Sequence, residues 1–98
     1  MLIVAGVFEV DPGERDAFVE ERHDMMRRSR DEAGCISYVF SADPVEPGRV
    51  YLFERWESKA ALASHLELLR SDPPSLSVAV TSAEVLQYEI SGAGPIGS

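Results

Sequence analysis

The chain has 98 residues and is 45% hydrophobic, which suits one small domain and leaves no room for a second. Its formal net charge is −8, so neither nucleic acid nor an anionic membrane is expected as a partner, because both require clustered basic side chains. The single cysteine, Cys35, cannot form an intramolecular disulfide, and the apolar start is too short for a signal peptide or a membrane span. We therefore expect a cytoplasmic protein.

The first quarter of the chain predicts a strand followed by a long helix. Leu2–Val10 is β-rich and apolar at almost every position, which is typical of a strand buried on both faces. Asp11 and Pro12 are typical of a helix start. Apolar residues at helical spacing then predict one helix over residues 12–33, ended by Gly34.

A β-hairpin with a long loop is predicted next. Cys35–Ala42 alternates in polarity, and residues 49–57 alternate in the same way. Two prolines and a glycine within residues 43–48 make the connection a turn. On the first of these strands the residues expected to share one face are Ile36, Tyr38 and Phe40.

The last third of the chain predicts a helix and a final strand. Ser58 is a typical N-cap for a helix reaching about Arg70. Residues 75–80 are interpreted as a short helical turn and residues 83–90 as the last strand. The domain is expected to span residues 1–91, and the Gly- and Ser-rich residues 92–98 are expected to form a flexible tail.

The element order β-α-β-β-α-β is the ferredoxin-like α+β arrangement, an antiparallel sheet with both helices on one face. The other sheet face would then be open, although Tyr51 and Phe53 place aromatic side chains on it, opposite Leu52 and Trp56. An open apolar face of this kind favours a homodimer packed sheet against sheet.

The most informative segment for function runs from the third strand into the second helix. Alternation places Glu54 and Trp56 on one face of the strand, and the helix returns over the sheet with His65 on its apolar stripe. Trp56 and His65 are therefore predicted to line one pocket, with His65 as a general base. The alternative is a core histidine without a site role, and for Glu54 we favour a structural pairing over catalysis.

Two polar residues lie on the inward stripe of the first helix. Arg22 and Ser29 either face a cavity, or Arg22 packs its methylenes on the core and extends to solvent. Extension to solvent is the favoured interpretation, because long basic side chains commonly do this.

Three sequence elements resemble the antibiotic biosynthesis monooxygenase (ABM) domain family over essentially the whole chain. The first is the run Glu-Ala-Gly-Cys-Ile-Ser-Tyr that ends at Tyr38, and the second is Phe-Glu-Arg-Trp-Glu-Ser at residues 53–58. The third is His65, nine residues after Trp56.

The resemblance implies a dimeric α+β barrel that oxidises small aromatic quinols, anthrones or polyketide-like compounds with O₂, without metal, haem or flavin. It implies that His65 handles the substrate proton, that Trp56 and Tyr38 pack on the rings, and that Arg22 stabilises an oxyanion if it stays inside. Haem-degrading relatives use an asparagine on the first strand and a tryptophan at the position of His65. This chain has no asparagine at all, so haem degradation is not expected.

Two other functions are compatible with the same residues. A histidine base also suits an isomerase of a small oxygenated metabolite, and the fold also suits a non-catalytic, stress-associated binding module. Oxygen dependence separates the oxygenase from the isomerase, and turnover of any kind separates both from the binding module. With two histidines and one cysteine, the sequence offers no dedicated zinc site.

Overall fold

A computed structural model describes residues 1–97 of the chain. In chain order the elements are strand β1 (Leu2–Val10), a 3₁₀ turn (Pro12–Glu14), helices α1 (Arg15–Glu20) and α2 (His23–Arg30), strands β2 (Cys35–Ala42) and β3 (Arg49–Trp56), helix α3 (Lys59–Ser71) and strand β4 (Val80–Glu89). The four strands form one antiparallel sheet in the order β2-β3-β1-β4. The predicted ferredoxin-like α+β fold is confirmed.

The bounds of β1 and β2 are those predicted, and Ser58 caps α3 by accepting a hydrogen bond from the backbone N–H of Ala61. The single long helix predicted over residues 12–33 is wrong. The chain instead forms the 3₁₀ turn, α1 and α2, with a break at Glu21 and Arg22. The predicted helical turn at residues 75–80 is also wrong, because residues 73–79 form no helix and β4 begins at Val80.

The core lies between the helices and the inner face of the sheet. It is built around a cluster of three phenylalanine rings, Phe8, Phe18 and Phe40, whose centroids are 5.5 to 6.1 Å apart. Ile36 does not share this face as predicted. The β2–β3 register shifts between Cys35 and Ser37, which leaves Ile36 41% exposed.

Two parts of the chain lie outside the core. Every residue of β4 is exposed, and the helices pack mainly against β2 and β3. Residues 92–97 contain no helix or strand, and Ser98, the last residue of the predicted tail, lies outside the described residues. None of the helices within residues 1–97 is both long and apolar enough to cross a membrane.

Candidate functional site

A cavity of about 440 Å³ lies between α3, the α1–α2 region and the inner face of the sheet. This volume falls within the range typical of small-molecule sites. Its walls are mostly apolar, and the polar side chains that reach it are Arg22, Tyr38, Glu54, His65 and, at the edge, Gln87. The first four are buried, so polar groups converge at the deep end of an otherwise apolar space.

The mouth of the cavity is formed by exposed apolar side chains. Leu66 on α3, Leu76 in the segment after α3 and Val85 on β4 all border the cavity and are more than 40% exposed. The opening therefore faces the uncovered strand β4. A ligand entering there would meet apolar groups first and the buried polar groups last.

His65 is held by α3 at the deep end and is 1% exposed. Its Nδ1 lies 3.1 Å from both carboxylate oxygens of Glu32, and its Nε2 lies 4.0 Å from Oε1 of Glu54. A carboxylate only accepts hydrogen bonds, so Nδ1 is the nitrogen that donates to Glu32. Nε2 is then the basic nitrogen, and its neighbour Glu54 borders the cavity.

Glu54 is a buried carboxylate held by the adjacent tryptophan. The indole Nε1–H of Trp56 donates to Oε1 of Glu54 over 2.8 Å. Burial raises the pKa of the Glu54 carboxyl above its ordinary value, and the hydrogen bond from Trp56 and the nearby His65 oppose this only in part.

Trp56 lies behind the cavity and not in its wall. It is fully buried, sits opposite Leu2 and Cys35 in the sheet register, and packs its ring 4.7 Å from the imidazole of His65. The pocket shared by Trp56 and His65 that the sequence predicts is therefore not formed. Trp56 instead supports Glu54 and His65 from behind.

Tyr38 lines the cavity next to His65. Its ring lies 5.2 Å from that of His65 in an edge-to-face arrangement. Burial and the charge of Glu54 raise the pKa of the Tyr38 hydroxyl well above its ordinary value, and a hydrogen bond with Ser29 opposes this only in part. The hydroxyl is therefore protonated at neutral pH and available as a hydrogen-bond donor.

Arg22 stays inside the protein and does not extend to solvent, so that favoured interpretation is wrong. It is 5% exposed, and its Nη1 donates to the carbonyl oxygen of Phe18 at 2.9 Å and to Glu21 at 3.2 Å. Its guanidinium lies 3.4 Å from the ring centroid of Phe18. Burial lowers the pKa of Arg22, and Glu21 opposes the shift. A cation therefore borders the cavity from the helix break.

Glu32 is the site residue that sequence reasoning missed. It belongs to the Glu-Ala-Gly-Cys motif, but its contact with His65 depends on how closely α3 approaches the α2–β2 connection. Gly34 makes that approach possible: its φ is +84°, and a Cβ at this position would lie 2.5 Å from the Cβ of Ala61.

Other candidate residues lie away from the cavity. Tyr51 is on the outer sheet face, as alternation predicts, and His23 is exposed on α2. Cys35 is half-buried, and burial together with Glu32 and Glu54 raises the pKa of its thiol. Within residues 1–97, no three His, Cys, Asp or Glu side chains are arranged to hold a metal ion.

Residues 1–69 match the family model described as antibiotic biosynthesis monooxygenase. Among curated proteins, an uncharacterised protein of Synechocystis sp. is 36% identical over 66 residues, which cover 67% of this chain and 45% of that protein. The Bacillus subtilis protein named "Putative monooxygenase YcnE" is 27% identical over 67 residues, which cover 68% of this chain and 70% of that protein. The chain thus spans less than half the length of the Synechocystis relative.

Two solved structures resemble the fold over most of their length. A protein from Deinococcus radiodurans, named "putative antibiotic biosynthesis monooxygenase", superposes with a TM-score of 0.76 over all of both chains at 20% identity. The Pseudomonas aeruginosa protein PA3566 superposes with a TM-score of 0.72 at 26% identity, over 89% of this chain and 90% of that one. Both structures share the fold of this chain.

Proposed function

The chain belongs to the antibiotic biosynthesis monooxygenase family, and on that premise we propose that it oxidises a small aromatic phenol, quinol or anthrone with O₂, without metal, haem or flavin. The observation that carries the proposal is that His65 lines an apolar cavity of about 440 Å³ while Glu32 occupies its Nδ1, which leaves Nε2 as the basic nitrogen. A base buried in an apolar pocket suits the removal of a proton from an acidic aromatic substrate.

The reaction begins with transfer of a substrate proton to Nε2 of His65, which leaves an electron-rich anion. That anion donates electrons to O₂ directly. For an anthrone the balance is R₂CH₂ + O₂ → R₂C=O + H₂O: one oxygen atom becomes the new carbonyl and the other leaves as water. The substrate loses four electrons and O₂ gains four, so no external reductant is needed.

The other buried polar residues have roles that follow from their places in the cavity. Arg22 brings a positive charge to the cavity, where it stabilises the developing oxyanion. Tyr38 offers a protonated hydroxyl as a hydrogen-bond donor and its ring as an apolar surface. Glu54 lies near the imidazolium that forms on proton transfer, and Trp56 fixes its position. The apolar walls exclude water from the anion.

The test is O₂ uptake with a panel of naphthols, hydroquinones and anthrones, using protein treated with chelator. His65→Ala should lower kcat/KM by about 10²- to 10⁴-fold, the usual contribution of a general base. His23→Ala is the matched control, because His23 is exposed on α2 and should leave activity unchanged. Folding of both variants is checked by thermal unfolding.

Three outcomes would overturn the proposal. Equal O₂ uptake by His65→Ala and the wild type would remove His65 from the reaction. Product formation under strict anaerobiosis would identify an isomerase. Binding of panel compounds without turnover would identify a non-catalytic binding module.

A further inference from the structure

The imidazole of His65 separates two different environments. On one side its neighbour Glu54 borders the central cavity. On the other side Glu32 does not border that cavity but lines a separate cleft of about 100 Å³ between α2 and α3. The Glu32 side chain is 18% exposed, whereas that of His65 is 1% exposed.

We propose that Glu32 is the positioning residue of the site: its carboxylate fixes His65 in the tautomer that carries the proton on Nδ1 and leaves Nε2 basic toward the cavity. The proposal rests on the proposed function, and it assigns a role to a residue that never touches the substrate. Both Glu32 oxygens lie 3.1 Å from Nδ1, so the carboxylate shares one N–H between two acceptors. Rotation of the ring to present Nδ1 to the cavity would break both contacts.

The groups that face the imidazole show which of them can position it. The titratable groups that contact or closely approach the ring are Glu32 after α2, Tyr38 on β2 and Glu54 on β3. Of these, Glu32 alone is within hydrogen-bond distance of an imidazole nitrogen among the contacts described.

Glu32 is anchored well enough to hold the ring. Its carbonyl oxygen accepts from the N–H of Cys35 at 3.1 Å, and its N–H donates to the carbonyl oxygen of Ser29, also at 3.1 Å. Gly34 then brings α3 close enough for His65 to meet the carboxylate. Backbone hydrogen bonds therefore hold Glu32 in place, and the packing of α3 against Gly34 holds His65 next to it.

The first experiment reads the tautomer without any substrate, by ¹⁵N NMR of the imidazole nitrogens. The wild type should carry the proton on Nδ1 at a pH where the ring is neutral. Glu32→Ala should shift the population toward the Nε2-protonated form, and Glu32→Asp should restore part of the wild-type signal. Glu57→Gln is the matched control, because Glu57 is exposed and lies in the groove beside Glu32.

The second experiment measures steady-state kinetics with whichever panel compound the wild type oxidises. Glu32→Ala should lower kcat by about 10- to 100-fold, the range for carboxylates that orient metal-bound histidines, with KM nearly unchanged.

The two experiments separate failure of this inference from failure of the proposed function. If no compound is oxidised but the tautomer responds to Glu32→Ala as described, the positioning role stands and the oxygenase does not. If the wild type carries its proton on Nε2, or if Glu32→Ala lowers thermal stability without changing the tautomer, the inference is overturned whatever the activity.

Discussion

The surroundings of the buried Glu54 carboxylate determine the direction of its pKa shift. Its only described hydrogen bond comes from the indole of Trp56 at 2.8 Å, and the nearest imidazole nitrogen is 4.0 Å away, too far for a direct hydrogen bond. Desolvation is therefore the dominant influence on the carboxyl and raises its pKa. A group whose pKa is raised on folding makes the folded state progressively less stable as pH increases.

Glu54→Gln should remove this pH dependence. Below the ordinary carboxyl pKa of 4.5 the group is neutral in both folded and unfolded chains. Above it the unfolded chain loses its proton first, and stability falls until the folded-state pKa is passed. Glutamine keeps an oxygen for Trp56 and carries no charge, so the variant should gain stability relative to the wild type as pH rises above about 4.5.

Urea unfolding between pH 4 and 8 measures this difference, with the exposed Glu57→Gln as the control. Parallel curves for Glu54→Gln and the wild type would show that burial does not dominate at Glu54. A variant that becomes less stable with rising pH would show that the carboxylate is held by a favourable charge interaction.

The sequence predicted the positions of some site residues and not of others. Alternation correctly put Glu54 and Trp56 on the inner face of β3, because side chains alternate strictly along a strand. Alternation did not predict which of these side chains would line the cavity: Glu54 does, whereas Trp56 lies behind it. Glu32 was missed because its partner is 33 residues away, and no local pattern records that contact.

At the scale of elements, the break between α1 and α2 was not predictable from residue type. Neither glycine nor proline occurs at Glu21 or Arg22, and the apolar spacing continues through them. The break is favoured by tertiary contacts: Arg22 turns inward over Phe18, and Glu21 binds the segment after α3. The break thus brings the cation of Arg22 to the cavity and the carboxylate of Glu21 to the segment after α3.

Residues 72–79, here called the strap, run from α3 to β4 across one side of the cavity. Pro74 and Leu76 of the strap border the cavity. The Glu21 carboxylate accepts from the N–H of Ser77 at 2.9 Å, from its Oγ at 3.0 Å and from the N–H of Val78 at 3.1 Å. Glu21 therefore fastens the strap to the helix break.

Glu21→Gln should loosen the strap, because the neutral amide loses the charge and one acceptor oxygen. Losing about 1.4 kcal/mol from charge-assisted hydrogen bonds corresponds to about tenfold faster hydrogen exchange at the amides of Ser77 and Val78. Glu20→Gln, an exposed neighbour at the end of α1, is the control. Unchanged exchange at both amides in Glu21→Gln would refute the fastening role.

The same contact should depend on pH in the opposite sense to Glu54. Burial alone would raise the pKa of Glu21, but the hydrogen bonds from Ser77 and Val78 and the charge of Arg22 hold it below its ordinary value. A lowered pKa gives stability that is complete above the ordinary value of 4.5 and is lost as pH falls through the folded-state value. Strap protection in the wild type should therefore decrease in acid, and Glu21→Gln should show little of this decrease.

At the scale of the whole molecule, the fold leaves the apolar outer face of the sheet uncovered. Strand alternation predicted its apolar character, and the register places apolar side chains from all four strands there: Ile3, Ala5, Val7, Val39, Tyr51, Phe53, Leu86 and Tyr88. The charged pair of Glu9 and Arg49, 2.7 Å apart, lies at one end of this face. We propose that a second copy of the chain covers the face, as a sheet-against-sheet homodimer.

Phe53→Glu should convert that dimer to a monomer. Phe53 lies between Ala5 of β1 and Val39 of β2 and is 38% exposed, so it sits at the centre of the patch. In a two-fold symmetric interface each substitution places two carboxylates in the contact, and burying unpaired charge there is costly. The fold itself should persist, because the substituted side chain points away from the core.

Sedimentation equilibrium or light scattering measures the change in mass, and Val45→Glu is the matched control, since Val45 is an apolar residue 80% exposed in the β2–β3 loop, outside the patch. The expected result is a dimer for the wild type and for Val45→Glu, and a folded monomer for Phe53→Glu. A monomeric wild type would contradict the proposal, and so would a Phe53→Glu variant that remains dimeric. Since the cavity opens beside β4, which is also the uncovered edge strand of this sheet, the same samples should be assayed for O₂ uptake. Activity that survives in the monomer would place the complete site within one chain.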